Sequence, residues 1–579
     1  MGLLTTVFAG LVALALVLQV SKWRRNYQAA LRMGFPVFYS PIHISSVWWM
    51  LLYPVLIPLL DKLPKRWTCP WLQVAQVWRI WKIGYQPFAD VGSDTFVIAT
   101  PSGNMLWSSD DTIIRNLYTQ HPSIDAPVEF LSFWNVWGPT IGSVTGNEWK
   151  THRRAVTAGF GPAMHRIVWE ETQHQTKTLV SHLIQSNGSV IQVMRHWASR
   201  LALHVISSGF FNLRIEWDDN LSTKILSPGH KIGLEKALPT FIDRLAVYFM
   251  VPRRLLRWLP GKKFQEAHRS YTETTKYLEE FRASVLDNQE AVMRKQNKTI
   301  LESVVLSGAS SEVSGKESLL KDSVLGNIFF TLLAGHETTG GTLGFIFTLM
   351  AIYPDIQGRL QKELDELFGN RLLEEWSLER DFEALERGLA GAIQKEVLYI
   401  FNPASFIMRK TLEPVAITDY EDNVHSLPAN TLTLISNAGA ARNPKNWRGK
   451  PIISDNRKAA LSESPALYFN PNRWLEKGRV SSNGINEMTW TAFGAGGRAC
   501  PGRMFAQIEL HAAVATLFKD YSLELVVDAT TLRNCNNDAT RAWESTRDSA
   551  IKMLYDEIEA NISIGVYKEM PIRIVKRTA

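Results

Sequence analysis

Apolar positions at the start of this chain form a long run without charge. Residues 3–20 contain no charged side chain, and a helix of that length, at about 1.5 Å per residue, spans about 27 Å, close to the apolar core of a bilayer. The basic residues Lys22, Arg24 and Arg25 follow the run, which favours a retained anchor over a cleaved signal and leaves the rest of the chain in the cytosol. The pattern predicts a transmembrane helix within residues 1–25.

A second apolar run extends from Val47 to Leu60. It contains Pro54 and Pro58 and is too short to cross a bilayer comfortably. We therefore expect residues 26–70 to form a membrane-proximal segment that lies on the membrane or dips into it.

The remaining residues, 71–579, contain both helical and extended patterns. Short β-type segments occupy about residues 85–107, helical spacing of apolar positions prevails from Trp149 to about Ile400, and short strands return beyond Pro403. The pattern also predicts three particular elements: a long apolar helix over Leu319–Tyr353 that Pro354 ends, a helix over Pro501–Phe518 and a terminal hairpin near Ile562–Val575. Many helices with a small, segregated set of strands indicate a mainly α (α+β) fold in one body.

Composition narrows the possible partners and the compartment. The 579 residues are 45% hydrophobic and carry a formal net charge of +7, which is compatible with nucleic acid, an anionic membrane or an acidic protein as partner. No basic block with interleaved aromatics occurs, so we expect no nucleic-acid binding. The three cysteines, Cys69, Cys500 and Cys535, are too few for a disulfide scaffold in a chain of this length and favour a reducing compartment.

Cys500 lies in the most specific motif of the chain, Phe-Gly-Ala-Gly-Gly-Arg-Ala-Cys-Pro-Gly, which begins at Phe493. Glycines can bring backbone N–H groups close to the sulfur, Pro501 suits a first helical position, and a helix N-terminus lowers the pKa of a thiol. These features predict a thiolate held for a metal. The motif resembles the haem-binding loop of the cytochrome P450 family. That resemblance implies haem b (iron protoporphyrin IX) as cofactor, Cys500 as its proximal iron ligand and Phe493 as part of its binding loop.

The same residues allow a second interpretation. Gly494 to Ala499 also fits the dinucleotide fingerprint G-x-G-x-x-A, with Asp520 near the position of the ribose-binding acid. This alternative is disfavoured because fewer than about 80 residues remain after Cys500 for the further βα units that a dinucleotide fold needs.

The predicted long helix contains Ala-Gly-His-Glu-Thr-Thr-Gly-Gly, which begins at Ala334. Three glycines inside a helix each cost about 1 kcal/mol relative to alanine, and we expect Gly335 to let a flat ligand approach. A threonine within a helix can return its hydroxyl to the carbonyl one turn back and open a groove for dioxygen. The stretch resembles the family's A-G-x-D/E-T-T signature, which implies that Glu337 and Thr338 are the catalytic acid and alcohol that relay protons to dioxygen.

Four further residues match positions at which the family holds the haem propionates, for which arginine is well suited. Trp149 and Arg153 are four residues apart and resemble the family's W-x-x-x-R pair, and Arg498 precedes the cysteine by two. Arg409 lies where the family commonly places another propionate partner on a strand.

One motif departs from the family pattern. The segment from Phe469 to Trp474 resembles F-x-P-x-R-W, whose Arg joins a buried network with the Glu and Arg of an E-x-x-R helix, but the matching helix here has Tyr399 three residues after Glu396. We expect Glu396 to pair with Arg473 and Tyr399 to donate a hydrogen bond to Glu396. The substitution leaves the network with one fewer positive charge.

The resemblance implies a triangular, mostly helical body with a small β-rich region. It further implies an endoplasmic-reticulum monooxygenase that faces the cytosol, consumes O2, takes electrons from NADPH-cytochrome P450 reductase and oxidises a hydrophobic small molecule, by likeness a fungal secondary metabolite. A basic face near Lys150, Arg154 and Arg503 is expected to dock the reductase. Aromatic residues are expected to line the substrate pocket or, alternatively, to be simple core: Phe130, Phe133, Trp134, Trp137 and Phe406, with Ile407.

Two rival functions stay open at this point. One is a haem-thiolate isomerase or dehydratase that works without O2, although such relatives tend to lose the acid and alcohol pair. The other is a haem-binding membrane protein without turnover, which only Tyr399 supports.

Overall fold

The computed structural model describes residues 2–186, 189–217, 229–309, 319, 321–447, 469–476, 479–480, 490–560 and 562–578. The Ser-rich stretch at 310–318 and the long loop at 448–466 lie outside the described residues.

Helices make up most of the described chain. The N-terminal part contains α1 (Gly2–Leu31), α2 (Val47–Leu60), α3 (Lys65–Thr68), α4 (Trp71–Ala75), α5 (Ile80–Ile83), α6 (Gln86–Val91), α7 (Asp111–Thr119) and α8 (Val128–Leu131). The central part contains α9 (Gly146–Thr157), α10 (Pro162–Ser186), α11 (Met194–Phe211), α12 (Leu234–Asp243), α13 (Leu245–Met250), α14 (Arg253–Leu256), α15 (Lys262–Asp287), α16 (Gln289–Arg294), α17 (Ile300–Ala309), α18 (Lys321–Ile352), α19 (Pro354–Phe368), α20 (Leu378–Arg387) and α21 (Leu389–Ile400). The C-terminal part contains α22 (Asn437–Arg442), α23 (Arg503–Asp520), α24 (Ala529–Asn534) and α25 (Ala539–Asp556).

Short strands are numbered in chain order. They are β1 (Val37–Tyr39), β2 (Thr95–Thr100), β3 (Gly103–Ser108), β4 (Ile124–Asp125), β5 (Val190–Ile191), β6 (Ile407–Thr411), β7 (Val415–Thr418), β8 (Val424–Leu427), β9 (Leu432–Ile435), β10 (Leu475–Glu476), β11 (Arg479–Val480), β12 (Tyr521–Leu525), β13 (Ile558–Ala560), β14 (Ile564–Val566) and β15 (Ile572–Lys576). The mainly α fold with a minor set of strands is confirmed.

The largest sheet has the strand order β1-β2-β3-β9-β6-β4. Its pairs β1·β2 and β3·β9 are parallel, and β2·β3, β9·β6 and β6·β4 are antiparallel. The register of the last pair places Asp125 opposite Lys410, beside Arg409. This sheet therefore brings residues 124–125 and 407–411 together, which the chain separates by almost 300 positions.

The long helix α18 forms the centre of the body. It is 32 residues long and is buried over most of its length, which confirms the predicted element to within two residues at each end. Pro354 begins the next helix, α19, where its missing N–H costs nothing. Side chains such as Phe329, Leu332 and Ile346 lie in the largest apolar cluster of the protein.

The predicted terminal hairpin over Ile562–Val575 is wrong. Strand β14 pairs with β13, whereas β15 pairs antiparallel with β12 and β5. Strands of three to five residues carry too little periodicity to fix their partners.

The N-terminal helix α1 extends to Leu31, beyond the predicted end of the anchor at residue 25. Its last turns pack on the large sheet, because the indole of Trp23 donates to the Ala99 carbonyl at 2.8 Å and the amide of Asn26 donates to the Thr100 carbonyl at 2.8 Å. Among the described residues, no helix is both long and apolar enough to cross a membrane. The transmembrane anchor thus stays a prediction.

Candidate active site

Glycines shape the loop that carries Cys500. Gly494 and Gly496 have φ values of +65° and +67°, and a Cβ atom at Gly496 would lie 2.1 Å from the carbonyl oxygen of Tyr118. Only glycine combines this backbone conformation with so close an approach. The Cys500 N–H donates to the Phe493 carbonyl at 2.8 Å and closes the loop, so the sequence motif folds into a compact turn against the end of α7.

The Cys500 thiol has a raised pKa, which contradicts the lowered pKa expected from a helix N-terminus. Burial is the main cause, and a hydrogen bond from the Gly502 backbone and the charge of Arg153 only partly offset it. Helix α23 begins at Arg503 with Gly502 as its N-cap, so Pro501 lies outside the helix. The residue is nonetheless exposed, so its thiol is reachable.

Two of the predicted arginines hold the Cys500 loop. Arg153, on α9, donates to the Ala499 carbonyl at 2.7 Å. Arg498 lies 2.6 Å from the carboxylate of Asp125 and 4.4 Å above the ring of Trp149. Trp149 and Arg153 therefore both reach the loop, and their role as propionate partners stays a prediction. Asp125 was missed by sequence reasoning, because nothing near it in the chain indicates an ion pair across more than 370 residues.

Arg409 lies on β6 next to this group. Its guanidinium donates to the Met408 carbonyl at 2.9 Å and lies 5.7 Å from the ring of Tyr118, and burial lowers its pKa. Among the described residues it has no ion pair, and Asp125 is occupied by Arg498. An arginine that is buried without a carboxylate is costly unless an anion joins it.

The residues around Cys500 fit a haem. One thiol is reachable, three arginines lie near it with a carboxylate partner for Arg498 alone among the described residues, and a haem supplies two further carboxylates and an iron that binds thiolate. Within the described part of the chain, no three His, Cys, Asp or Glu side chains form a rival metal site. The excess of positive charge is what two propionates would neutralise.

Helix α18 presents one accessible stripe in an otherwise buried run. Phe330, Ala334 and Thr338 are each four residues apart and partly accessible, whereas Leu332, Leu333 and Thr339 are buried. The Thr338 hydroxyl donates to the Ala334 carbonyl at 2.8 Å, which confirms the predicted bond to the previous turn. The helix continues without a break through this point.

The glycines of α18 contribute to helix packing, while Gly335 stays partly accessible, so the expectation that it admits a flat ligand stays a prediction. A Cβ atom at Gly335 would lie 2.0 Å from Cδ1 of Ile206, and one at Gly340 would lie 2.6 Å from Cα of Ser199; both neighbours belong to α11. The two helices approach so closely that side chains at these positions have no room.

Glu337 points away from the Thr338 stripe, toward α11. Its Oε2 atom lies 2.7 Å from Nη2 of Arg195, and the Ser563 hydroxyl donates to the same oxygen at 3.3 Å. The carboxylate also lines a cavity of about 770 Å³ between α11, α12, α15 and α18, together with His336 and Asp243. Arg195 and Ser563 were not anticipated, since only the tertiary fold brings them to α18.

The Glu396 cluster is satisfied without an arginine at position 399. Arg473 pairs with Glu396 at 2.9 Å, as predicted, and the Trp474 indole and the Asn470 N–H donate to the same carboxylate, each at 2.7 Å. Tyr399 does not bond to Glu396; its ring lies 5.7 Å from the Arg473 guanidinium. Burial raises the pKa of Glu396 despite these partners.

The aromatic residues expected near a substrate divide into two groups. Trp137 is core: it packs on Phe241 and Phe329 and donates to the Thr275 hydroxyl at 2.9 Å. Phe130, Phe133 and Trp134 are only partly buried, and Trp134 packs edge-on against Phe330, 6.3 Å between ring centroids. Trp134 therefore extends the accessible stripe of α18.

The dinucleotide alternative does not fit the fold. After the Gly494–Ala499 segment the chain forms α23 and then β12, which pairs antiparallel with β15. A dinucleotide unit needs a parallel strand at this position.

Comparisons with known proteins identify relatives of this chain. The family model "Cytochrome P450" matches residues 138–540. A cytochrome P450 monooxygenase of Arthrobotrys oligospora is 22% identical over 99% of this chain and 98% of its own length, and one of Postia placenta is 25% identical over 76% and 79%. A relative from Leptosphaeria maculans, named a phomenoic acid biosynthesis cluster cytochrome P450 monooxygenase, is 21% identical over 90% of this chain and 92% of its own.

Solved structures support the fold. A crystal structure of a cytochrome P450 superimposes with a TM-score of 0.61 over 85% of this chain and 94% of its own, at 16% sequence identity. The haem domain of another gives the same score over 85% and 92%. The family model spans well over half of the chain and coincides with the helices and the loop described above, so the chain belongs to the cytochrome P450 family and is a haem-dependent monooxygenase whose iron takes a cysteine thiolate as axial ligand.

Proposed function

We propose that this protein is a membrane-attached monooxygenase that oxidises a hydrophobic small molecule, with Cys500 as the ligand of the haem iron. The Cys500 loop carries the proposal: glycines shape a loop with one reachable thiol near three arginines, and among the described residues only Arg498 of the three pairs with a carboxylate. When bound, the haem activates dioxygen, so that one oxygen atom enters the substrate and the other leaves as water with two electrons and two protons.

The charged residues around the loop have separate tasks. Arg409 and Arg498, with Trp149 beneath Arg498, bind the propionates of haem b, because the two cations have one carboxylate, that of Asp125 on Arg498, between them. Arg153 lies against the Ala499 carbonyl, where its charge favours the Cys500 thiolate. Phe493 closes the loop through its carbonyl.

Glu337 and Thr338 supply protons. Thr338 lies on the accessible stripe of α18, and Glu337, the next residue, faces the solvent cavity on the other side. A proton taken from water by Glu337 can therefore pass to the Thr338 side of the helix. The presence of this pair favours a monooxygenase over an isomerase or dehydratase, neither of which needs protons for O2.

The substrate contacts the stripe formed by Phe330, Ala334 and Thr338, extended by Trp134. These side chains are apolar except for one hydroxyl, so they fit a hydrophobic small molecule. By likeness to fungal relatives, one of which is named for a biosynthesis cluster, we propose a secondary metabolite such as a terpenoid or polyketide.

Electrons come from NADPH-cytochrome P450 reductase, which we propose docks on exposed basic residues close to the loop. Lys150 and Arg154 are one turn apart on α9, and Arg503 begins α23 directly after the loop. A positive face at this position suits an acidic flavoprotein.

Membrane attachment involves the N-terminal 70 residues, with residues 1–25 as anchor, 26–70 as membrane-proximal segment and 71–579 as the haem-thiolate domain. Helix α2 supports this division. One face packs into the core through Trp49, which is 1% exposed, whereas the stripe Trp48, Leu52, Val55 and Leu59 is between 49% and 68% exposed. Such an apolar stripe fits a lipid surface, and we place the protein in the endoplasmic reticulum with its body in the cytosol.

The first test concerns the iron ligand. Reduced protein under CO should show the strongly red-shifted Soret band of a thiolate-ligated haem. Cys500→Ala should abolish the band, whereas the control Cys535→Ala should keep it. A Cys500→Ala protein that retains the band would contradict the assignment.

The second test concerns proton delivery. Thr338→Ala should lower product formed per NADPH and raise peroxide, with haem content unchanged. The matched control is Thr348→Ala, because the Thr348 hydroxyl makes the same bond to the previous turn, 2.7 Å to Gly344, at a buried position ten residues away. If coupling, the amount of product formed per NADPH, is equal in both variants, Thr338 is only a helix residue. Substrate turnover without NADPH oxidation would favour the isomerase.

A further inference from the structure

Arg195 is a buried cation held in a slot made by glycines. It is the second residue of α11, and its side chain is 5% exposed. A Cβ atom at Gly341 would lie 2.2 Å from its Nη1 atom, and one at Gly565 would lie 3.2 Å from its Nε atom. Residues from two distant elements, α18 and β14, therefore lack side chains where the guanidinium lies.

The guanidinium in this slot makes three hydrogen bonds, two to Glu337 and one to Ser563. Its Nη2 atom lies 2.7 Å from Oε2 of Glu337 and 2.9 Å from the Ser563 hydroxyl, and its Nη1 atom donates to the Glu337 carbonyl at 3.3 Å. The single hydroxyl hydrogen of Ser563 has two acceptors within reach, the Glu337 carbonyl at 3.1 Å and Oε2 of Glu337 at 3.3 Å. Arginine and serine thus fix both the backbone and the side chain of this residue.

The fixed carboxylate lies at the wall of the 770 Å³ cavity. Titratable groups at this wall include His336, whose Nε2 atom is 3.6 Å from Oε1 of Glu337, and Asp243 at the end of α12, which is exposed. Other titratable side chains line the same cavity, among them Arg200, Glu235, Lys236 and Tyr567. Burial lowers the pKa of His336, while burial and the charge of Glu337 raise the pKa of Asp243. Among the described residues, Arg195 and Ser563 are the hydrogen-bond donors to this carboxylate, and they hold it at the wall of the cavity.

We propose that Arg195 is a positioning residue for proton delivery: with Ser563 it holds the Glu337 carboxylate at the wall of the solvent cavity, one residue from Thr338. The carboxylate takes up a proton from cavity water there, and the proton then passes across α18 to the Thr338 side. In this proton transfer only bonds between oxygen and hydrogen form and break. The inference rests on the proposed roles of Glu337 and Thr338 in the reaction.

Ser563→Ala tests the proposal with no change of charge. We expect product per NADPH to fall on the order of tenfold, short of the ~10²–10⁴-fold that loss of a proton-transfer group itself can cost, with melting temperature and haem content close to wild type. The control is Ser270→Ala, a buried serine on α15 that bonds to Tyr248 at 3.0 Å. Equal coupling in Ser563→Ala and Ser270→Ala would overturn the proposal.

Arg195 itself is tested by a pair of variants, because removing one member of a buried ion pair also destabilises the fold. Arg195→Gln should lower the melting temperature, and Arg195→Lys, which keeps the charge, should restore most of the melting temperature and part of the coupling. Full coupling in folded Arg195→Gln would refute the positioning role. If Arg195→Gln does not fold, Arg195→Lys serves as the test. Its amine cannot bond to both Glu337 and Ser563 as the guanidinium does, so this variant should still lower coupling. Unchanged coupling in Arg195→Lys would also refute the positioning role.

The proposed function and this inference fail differently. If Glu337→Gln and Thr338→Ala leave coupling unchanged, the relay itself is wrong. If those two variants uncouple the reaction while Ser563→Ala and Arg195→Lys do not, the relay stands and the positioning role of Arg195 is wrong.

Discussion

Replacing Gly340 with alanine tests whether the glycines of α18 exist for packing. The Cβ atom would lie 2.6 Å from Cα of Ser199 and 3.1 Å from the Ala198 carbonyl oxygen. Both contacts are backbone atoms of α11 and cannot rotate away, so the two helices must separate by about 0.8 Å to reach an ordinary distance of 3.4 Å. Overpacking of this kind costs about 1–3 kcal/mol.

A second effect has the opposite sign, because alanine is favoured over glycine inside a helix by about 1 kcal/mol. Gly358 isolates this term. It lies in the middle of α19, is exposed, and a Cβ atom there would meet nothing within 4 Å. Gly358→Ala should therefore raise the free energy of unfolding by about 0.5–1 kcal/mol, and the difference between the two variants gives the packing cost alone.

Urea unfolding followed by circular dichroism, with melting temperature at a fixed scan rate, measures both variants. We expect Gly340→Ala to be less stable than Gly358→Ala by about 1–3 kcal/mol. If the two variants are equally stable, α11 and α18 tolerate the methyl group, and the close approach of these helices does not explain the glycine.

Three further predictions follow from other parts of the structure. Burial lowers the pKa of His152 to about 4 from its ordinary 6.5. Between these two pH values the unfolded chain binds a proton that the folded chain does not. The free energy of unfolding therefore falls as the pH drops from 6.5 toward 4, by up to about 1.4 kcal/mol per pH unit. His152→Gln should make the free energy of unfolding depend less on pH, by the equivalent of up to one proton taken up on unfolding, when unfolding is measured between pH 5 and 7.5. An unchanged pH dependence would contradict the assignment. Deleting residues 2–20 should weaken attachment to carbonate-washed membranes and adding Val55→Glu should weaken it further; full-length protein in the soluble fraction would exclude an anchor. Tyr399→Arg should lower both melting temperature and haem-to-protein ratio, since Glu396 already has three donors and the new cation would lie beside Arg473; a gain in both would show that Tyr399 is a defect.

The sequence predicted those parts of the fold and site that depend on local chemistry. Helix α18 was located to within two residues because its apolar run is long and Pro354 follows shortly after its end. The Cys500 loop was located because positive-φ glycines are required at fixed positions. The pairing of Glu396 with Arg473 was predicted from a spaced pattern and is confirmed at 2.9 Å.

Contacts between distant segments could not be predicted in this way. Asp125 meets Arg498 because β4 joins the large sheet, and Ser563 meets Glu337 because the β13–β14 hairpin packs on α18. Neither residue has a distinctive neighbour in the chain. Helix α25 was missed for a related reason: its buried apolar residues, Ala542, Ala550 and Leu554, are few and widely spaced, which gives little periodicity.

The raised pKa of Cys500 shows why a motif alone does not determine electrostatics. A helix N-terminus stabilises a thiolate by fractions of a kcal/mol to about 2 kcal/mol and only within the first turn. Here the helix begins three residues after the cysteine, and desolvation exceeds the single N–H bond and the charge of Arg153. The protein therefore disfavours an unligated thiolate, and a bound iron has to supply the missing positive charge.

Helix α18 separates two environments, and its sequence is divided accordingly. The stripe Phe330, Ala334 and Thr338 is accessible on one side, and glycines on another side bring α11 into contact. Glu337 lies between them and is tied by Arg195 to the side that faces the solvent cavity. A helix that admitted water on both sides would let protons reach reduced oxygen without control and release peroxide. In the relay that we propose, Glu337 and Thr338 link the two sides, and the glycines that let α11 pack closely on α18 would keep water from reaching the helix at those positions.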